Sequence, residues 1–213
     1  MKRLILFMLT ALMMWSFQQS GISETKTKII SGKIYWKCDK HFGYIPLDSV
    51  IIKSNEYDIS EAFFYINIRQ LTVSDLDSAQ FSTAKMILEN TLKNEFFEVD
   101  SFPLAYFHLQ EIHPSQNNKY PYRLKGDMHM HGQTVCIEFP AILSNESGIL
   151  RIESDVFKID RTDWGIYRLS PKRPYPDDEH GWTVPDTVEI HMEIELKIPD
   201  QSSSTLNSNS SPI

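Results

Sequence analysis

Residues 188–198 read VEIHMEIELKI, and every second residue in this stretch is apolar. The intervening positions hold Glu, His or Lys, and the apolar positions are Val188, Ile190, Met192, Ile194, Leu196 and Ile198. Successive side chains of a β-strand point to opposite faces of its sheet. The alternation therefore predicts a strand with one face in a core and the other face in water.

A second alternating stretch, residues 120–131, lies in the middle of the chain. One of its faces carries Tyr, Leu, Gly and Met, whereas the other face carries mainly Arg, Lys, Asp and His. Gly132 then favours a tight turn into a third alternating stretch, which contains Val135, Ile137 and Phe139. We expect these two strands to form a β-hairpin.

Five more stretches with strand periodicity bring the predicted total to eight strands. They cover residues 29–39, 44–53, 59–71, 104–113 and 149–159. Residues 82–92 differ, because apolar side chains recur there every three or four positions and predict one short amphipathic helix. Long strands joined by short turns favour antiparallel pairing, and eight of them can close into a barrel. The sequence thus predicts an all-β fold, an antiparallel eight-stranded β-barrel with one short helix.

The apolar faces of these strands would point inward and form the lumen of the barrel. Two Met residues on one strand would suit an irregular apolar guest, because the thioether side chain is flexible. Small closed barrels can also be filled by their own side chains, so a filled core and a ligand lumen remain as alternatives. The predicted lumen residues are Ile34, Trp36, Tyr122, Leu124, Met128, Met130, Val135, Ile137, Phe139, Ile190, Met192 and Ile194.

The two ends of the chain are predicted to lie outside the barrel domain, which we place at residues 24–198. Lys2 and Arg3 precede an uncharged run at residues 4–17, which is shorter than the roughly 20 residues needed to cross a bilayer. We expect residues 1–23 to be a cleavable signal peptide, so that the mature protein is periplasmic or secreted. No Cys lies near the expected cleavage site, which excludes a lipoprotein anchor there. Residues 199–213 are rich in Ser and Asn and predict a disordered tail.

The composition bears on the class of function. The 213 residues carry a net charge of -7, and this acidic balance argues against nucleic acid as a partner, because phosphate binding needs an excess of Lys and Arg. The sequence contains no nucleophile-elbow, zinc-protease or phosphate-loop motif. We therefore expect a protein that catalyses no reaction and holds no resident cofactor or metal. The sequence gives no indication of oligomeric state.

Five short segments occur in an order that resembles the YceI-like family. They read HFGYIP at 41–46, LKNEFFEV at 92–99, GDMHMHGQT at 126–134, DRTDWGI at 160–166 and VPDTV at 184–188. The resemblance extends from about residue 33 to residue 196. It implies a lipocalin-like barrel and an exported protein that binds a polyisoprenoid, such as a quinone or prenyl lipid. The tail of that lipid would lie in the lumen and its head near the mouth.

The connection at residues 160–186 is long for a compact barrel, and connections of this length are commonly functional. Its basic side chains Arg168, Lys172 and Arg173 are candidates for binding a lipid headgroup or for transient contact with a membrane surface. The alternative is a structural corner. For residues 160–165 we favour that alternative, with ion pairs formed by the charged residues and with Trp164 plugging one end of the barrel.

Two further readings of the sequence compete with the lipid carrier. A filled barrel could act as an interaction protein of the cell envelope, and His129, His131 and His191 could bind a transition metal. Strand alternation directs these histidines outward, which favours solvated surface side chains. The acidic residues at 177–180 could hold a cation, but they lack the spacing of a calcium-binding loop, and we favour a solvated turn there. Alternation also places Cys38 inside and Cys136 outside, which makes a disulfide between them awkward without excluding it.

Overall fold

The computed structural model describes residues 23–54, 59–77, 79–173 and 181–198. The predicted signal peptide, apart from Ser23, lies outside the described residues. So do the acidic turn at 177–180 and the predicted tail at 199–213. None of the helices in the described ranges is long and apolar enough to cross a lipid bilayer.

Ten β-strands in the described residues form one antiparallel sheet. They are β1 (Ser23–Cys38), β2 (His41–Ser54), β3 (Ile59–Asn67), β4 (Thr72–Val73), β5 (Leu104–Pro114), β6 (Tyr122–Met130), β7 (Gln133–Glu146), β8 (Ile149–Ser154), β9 (Phe157–Asp160) and β10 (Thr187–Lys197).

The sheet closes on itself into a barrel. The strand order is β1, β10, β8, β7, β6, β5, β3 and β2, and β1 also pairs with β2. The short strands β4 and β9 pair with β2 and β10 and add no further position to the ring. Closure satisfies the backbone hydrogen bonds that an open edge would expose. The predicted all-β fold, an antiparallel eight-stranded lipocalin-like barrel, is confirmed.

The predicted helix at residues 82–92 is also present. Helix α1 (Ser82–Thr91) continues into a π-helical turn at Leu92–Phe96, and the two cover one end of the barrel, which we call the helical end. Leu88 and Leu92 pack against the core. On the side facing β4, a Glu89 carboxylate oxygen accepts a hydrogen bond from the Val73 amide at 3.0 Å.

The predicted hairpin between β6 and β7 is confirmed, with His131 and Gly132 as its two-residue loop. Their φ angles of 50° and 74° lie in the left-handed region, which tight hairpin turns require. The loop also lies at the helical end, since the His131 imidazole donates a hydrogen bond to the Trp164 carbonyl, 3.1 Å away. Because this bond involves a backbone carbonyl, the imidazole Nδ1 must be the donor.

Two predicted strands differ from the structure. The strand expected at 59–71 ends at Asn67, whose side chain accepts from the Arg69 amide and starts the 3₁₀ turn Ile68–Gln70. The strand expected at 149–159 is divided into β8 and β9. At the break, the Ser154 hydroxyl accepts from the Met192 amide at 2.8 Å, so a side chain replaces one ladder bond between the strands.

The interior of the barrel has two parts. Toward the helical end, the inward side chains surround an empty space. Toward the other end they meet each other, and we call that part the closed half. Irregular registers occur near the boundary, between Leu47 and Ser49 and between Leu109 and Glu111, and such bulges bend a strand and increase its twist. The closed half consists of the buried side chains Val50, Ile52, Ala62, Leu109, Leu124, Ala141, Leu150, Ile152 and Leu196.

Candidate ligand-binding cavity

The empty space is an apolar cavity of about 630 Å³ between the closed half and the helical end. This volume lies within the range of small-molecule sites, roughly 300 to 1,000 Å³. Nine of the twelve predicted lumen residues line it: Ile34, Trp36, Met128, Met130, Ile137, Phe139, Ile190, Met192 and Ile194. Whether they bind a ligand stays a prediction.

The other three predicted lumen residues, Tyr122, Leu124 and Val135, do not line the cavity. Tyr122 and Leu124 lie farther along β6 from the hairpin, where the barrel is solid, and Leu124 is only 2% exposed. Val135 lies close to the hairpin, opposite Met128. There the indole N–H of the buried Trp164 donates to the Met128 carbonyl at 2.9 Å, so a tryptophan already occupies this corner.

Part of the cavity wall consists of residues that were not predicted to line the lumen. Ile45, Leu47, Phe64 and Phe107 lie on β2, β3 and β5 and line the cavity. Their strands show the same alternation, so this signal was available. Leu88 and Leu92, which belong to the helical repeat at residues 82–92, also line the cavity. Further lining residues come from the π-helical turn and from the connection after β9, where no periodicity marks them: Phe96, Ile166, Leu169 and Val184.

The mouth of the cavity is marked by residues that both line it and are exposed. Asp39 and Lys40 form the turn between β1 and β2, and Trp182 and Thr183 lie across from them on the connection that precedes β10. The Trp182 side chain is 73% exposed. The wall is thus mostly apolar at depth, with the buried Arg161 as its charged exception, and its exposed polar groups lie at this opening.

His41 beside the mouth is fixed in place by Asp75. Its Nδ1 lies 2.7 Å from one carboxylate oxygen of Asp75, and the other oxygen accepts from the Phe42 amide at 3.1 Å. Burial acts to raise the pKa of Asp75, but the hydrogen bonds from His41 and from the Phe42 amide outweigh it and lower the pKa. The pair therefore holds the start of β2 against the segment that follows β4.

A buried ion pair between Arg161 and Asp186 fastens the connection over the cavity. The two side chains are 3.0 Å apart, and Arg161, itself a lining residue, is only 5% exposed. The guanidinium also donates to the carbonyls of Ile166, Arg168 and Val184 at 2.7 to 3.1 Å. Burial lowers the pKa of Arg161 although Asp186 opposes the shift. These bonds join both ends of the connection to one side chain.

Of the ion pairs expected at residues 160–165, those of Asp160 and Arg161 are observed, and the plug formed by Trp164 is observed as well. Asp160 pairs with Lys172, and its other interactions are hydrogen bonds from the amide and hydroxyl of Thr162. Burial acts to raise the pKa of Asp160, and Lys172 and Thr162 outweigh it and lower the pKa. Trp164 is 1% exposed at the helical end. This corner is therefore part of the structure that closes the barrel.

The predicted headgroup residues Arg168, Lys172 and Arg173 do not line the cavity. Arg168 pairs with Glu95 at 2.8 Å, which joins the connection to the π-helical turn. Lys172 pairs with Asp160, and the Arg173 guanidinium lies 5.6 Å from the centre of the Tyr167 ring. These cations stabilise the connection, and the polar groups at the mouth are instead those of residues 39–41 and 183.

The three histidines considered for metal binding are separated by their local structure. His129 lies on the outer face of β6, stacked on Tyr106 with ring centres 5.0 Å apart, whereas His131 belongs to the hairpin loop. His191 hydrogen-bonds the Ser154 carbonyl at 2.8 Å. Within the described ranges, no group of three or more His, Cys, Asp or Glu side chains could hold a metal ion.

The two cysteines lie on opposite faces of the barrel wall, as alternation predicts. Cys38 lines the cavity and Cys136 is exposed, and both are free thiols. Burial raises the pKa of the Cys38 thiol, and the nearby Arg161 cation opposes the shift. The Cys38 thiol donates to the Pro185 carbonyl at 3.5 Å, which adds one more contact between β1 and the connection.

Comparison with known proteins places this fold. The crystal structure of BcnA from Burkholderia cenocepacia is similar with a TM-score of 0.57 at 16% identity, over 77% of this chain and 95% of that one. A polyisoprenoid binding domain from Saccharophagus degradans, implicated in plant cell wall breakdown, gives a TM-score of 0.52 at 9% identity, over 84% of this chain and 100% of that one.

Identities this low establish the fold alone, and no curated protein matches the chain in sequence. The family model of the YceI-like domain, however, matches residues 50–196. This match covers more than half of the sequence and most of the barrel, from β2 to β10. The chain therefore belongs to the YceI-like family.

Proposed function

We propose that this protein is an exported, non-catalytic carrier that holds a polyisoprenoid, such as a quinone or prenyl lipid, or a similar amphiphile in the barrel. The observation that carries the proposal is the mostly apolar cavity of about 630 Å³, which is enclosed by a complete ring of strands and has its exposed polar groups at its mouth. The description of the Saccharophagus degradans domain as polyisoprenoid binding supports the choice of lipid.

The energetics of such a cavity suit a carrier. Burying one methylene is worth about 0.8 kcal/mol against water, so a chain of roughly 20 carbons would gain on the order of 16 kcal/mol. That gain approaches the practical limit of about 20 kcal/mol for non-covalent binding. In a cell, a membrane competes with the protein for the lipid chain, and the carbons of that chain are equally shielded from water in the membrane. Transfer between the two is then close to balance, so the lipid can be both captured and released.

The mouth provides a place for the polar head. Lys40 and Thr183 are exposed there, and His41 is fixed beside them by Asp75. A lipid with its tail among Met128 and Ile190 would present its head to these groups and to water. The binding needs no covalent chemistry from the protein.

Transient contact with a membrane belongs to the same proposal. The exposed apolar side chains Phe42, Met86, Ile87 and Trp182 lie on the elements around the mouth. Tryptophan is favoured at the boundary between lipid and water. These side chains, rather than the ion-paired Arg168 and Lys172, are the better candidates for meeting a bilayer during loading. Export rests on the signal-like pattern of residues 1–23.

The decisive experiment uses protein purified from a host that exports it. We expect native mass spectrometry and lipid extraction to find one prenyl or acyl lipid per chain. The substitution Met128→Asp places a charge in the cavity wall and should reduce retention at least about tenfold. The matched control is His129→Asp, which places the same side chain on the outer face of the same strand.

Lipid retention by the folded Met128→Asp variant is the measurement that can contradict the proposal. A Met128→Asp variant that melts like the parent protein and still retains lipid equally would exclude this cavity as the binding site. Should Met128→Asp fail to fold, Ile190→Trp tests the same point, because it fills the cavity with apolar volume and introduces no charge.

A further inference from the structure

We propose that the closed half of the barrel is a floor that limits the length of the bound chain to about 20 carbons. This inference rests on the proposed carrier function and specifies its ligand as an amphiphile with one apolar chain of that length. A long chain of about twice that length would not be contained. The floor side chains Val50, Leu124 and Leu196 would thus determine which lipids the protein accepts.

The first observation is that the floor is solid. Leu196 and Val50 are 0% exposed, and Leu124 is 2% exposed, so no space remains around them for a guest. The register places them directly below the cavity. Leu124 is paired with the lining residue Phe139, and Leu196 follows the lining residue Ile194 by two positions on the same face of β10.

The second observation is that the far end of the barrel is capped. Tyr120, in the loop between β5 and β6, is 5% exposed. The side-chain oxygen of Asn117 accepts from the amides of Lys119 and Tyr120 at 2.9 and 3.2 Å, and the Ser115 amide donates to the Pro121 carbonyl at 2.7 Å. A bound lipid chain therefore cannot leave through this loop, and it enters and leaves through the mouth at the helical end.

The cavity volume then converts into a chain length. A methylene is close in size to a water molecule, whose share of liquid volume is about 30 Å³. The cavity of about 630 Å³ therefore contains about 20 such groups, which corresponds to about four isoprene units. Every carbon beyond that number must leave through the mouth into water.

The limit on lipid chain length can be measured when binding is compared with a micelle or a membrane instead of with water. Against a micelle or a membrane, carbons inside the cavity gain little, whereas each carbon that is expelled into water lowers retention by up to about fourfold. Retention should thus be level up to the limit and fall beyond it. A barrel open along its whole length would show no such fall.

The test offers the purified, lipid-free protein an equimolar mixture of farnesol, geranylgeraniol and solanesol in nonionic detergent micelles. These chains are shorter than, about equal to and about twice the length that fills the cavity. After gel filtration, mass spectrometry quantifies the alcohols bound to the protein. We expect farnesol and geranylgeraniol to be retained and solanesol to be retained at least about tenfold less.

Substitutions in the floor and in the wall should shift the retained chain length in opposite directions. With geranylfarnesol, which is one isoprene unit longer than geranylgeraniol, added to the mixture, Leu124→Ala removes three carbons beneath the cavity and should raise retention of geranylfarnesol relative to geranylgeraniol by about tenfold. Ile190→Trp fills the cavity and should lower geranylgeraniol relative to farnesol by a similar factor. The control is Ile52→Ala, which removes three carbons deeper in the closed half and should leave both ratios within about twofold.

The possible results separate the two proposals. Equal retention of solanesol and geranylgeraniol would overturn the floor and leave the carrier function standing. Retention of none of the alcohols, and of no co-purified lipid, would overturn both. If Leu124→Ala does not fold, Ile190→Trp decides alone, and an unchanged ratio in that variant overturns the floor.

Discussion

The closed half and the cavity half of the barrel are built from the same strands with the same alternation, yet one is solid and the other is hollow. The side chains of the closed half are mostly Val, Ala, Ile and Leu, whereas the wall of the cavity includes the larger Phe64, Phe107 and Phe139. The larger side chains therefore surround the empty space, whereas the smaller side chains of the closed half pack together without an empty space between them.

The backbone explains this difference better than side-chain size does. The register changes near Ile29, Leu47 and Leu109 lie close to the boundary between the two halves. A bulge bends its strand and increases the local twist, so the strands can take different paths on either side of the boundary. The helical end adds a second cause, because α1 and residues 161–173 cover the space from above without filling it.

The largest expected contrast is in stability. Leu196→Ala should lower the free energy of unfolding by about 4 kcal/mol, because it leaves a hole in a solid part of the core. Met192→Ala, on the same face of β10, should cost about 2 kcal/mol, because that side chain already borders empty space. Urea unfolding of the lipid-free variants measures both, and equal costs would contradict the distinction between the two halves.

The second contrast concerns how the cavity half is held closed. Arg161→Ala leaves Asp186 buried without its cation and removes hydrogen bonds to four backbone carbonyls, and should cost about 3 kcal/mol. In the lipid-free protein, hydrogen exchange should increase in residues 161–173 and at Val184 and remain unchanged at Leu124 and Leu196. Increased exchange in the closed half as well would mean that the two halves open as one unit.

The smallest effect is a dependence on pH at the mouth. The folded state lowers the pKa of Asp75, so the stability that this carboxylate contributes is present above its usual pKa of 3.8. It is lost as the pH falls through the lowered value, because the folded protein must then take up a proton. Asp75→Asn should lower stability at neutral pH by about 1 kcal/mol or less and flatten the acid limb of the profile. An acid limb as steep as that of the parent protein would assign this dependence to other carboxylates.

Sequence reasoning recovered the ring of strands, the hairpin at His131 and Gly132, and the helix, because each has a local periodic or turn signal. It also placed Met128 and Ile190 on the inward face correctly. It could not separate Leu124, which lies in the floor, from Met128, which lies in the wall. Alternation reports only which face a residue occupies, whereas packing across the barrel decides whether the faces meet.

The connection at residues 160–186 was the hardest part to interpret from sequence. Arg168, Lys172 and Arg173 are a local excess of positive charge. The sequence predicted that Asp160 forms an ion pair but did not identify Lys172 as its partner, and nothing near Arg168 in the sequence indicates its pairing with Glu95. The partner of Arg161 is also distant, since Asp186 lies at the other end of the connection. Pairings of this kind depend on tertiary structure and leave no periodic trace.

The positions of the two thiols allow the occupancy of the cavity to be measured from within the protein. Cys38 lines the cavity, and Cys136 is exposed on the outside of the same wall. A guest that fills the space would shield the first sulfur from an alkylating reagent and leave the second as reactive as before. The ratio of the two labelling rates would then report how much of the protein is loaded, with no probe attached to the lipid.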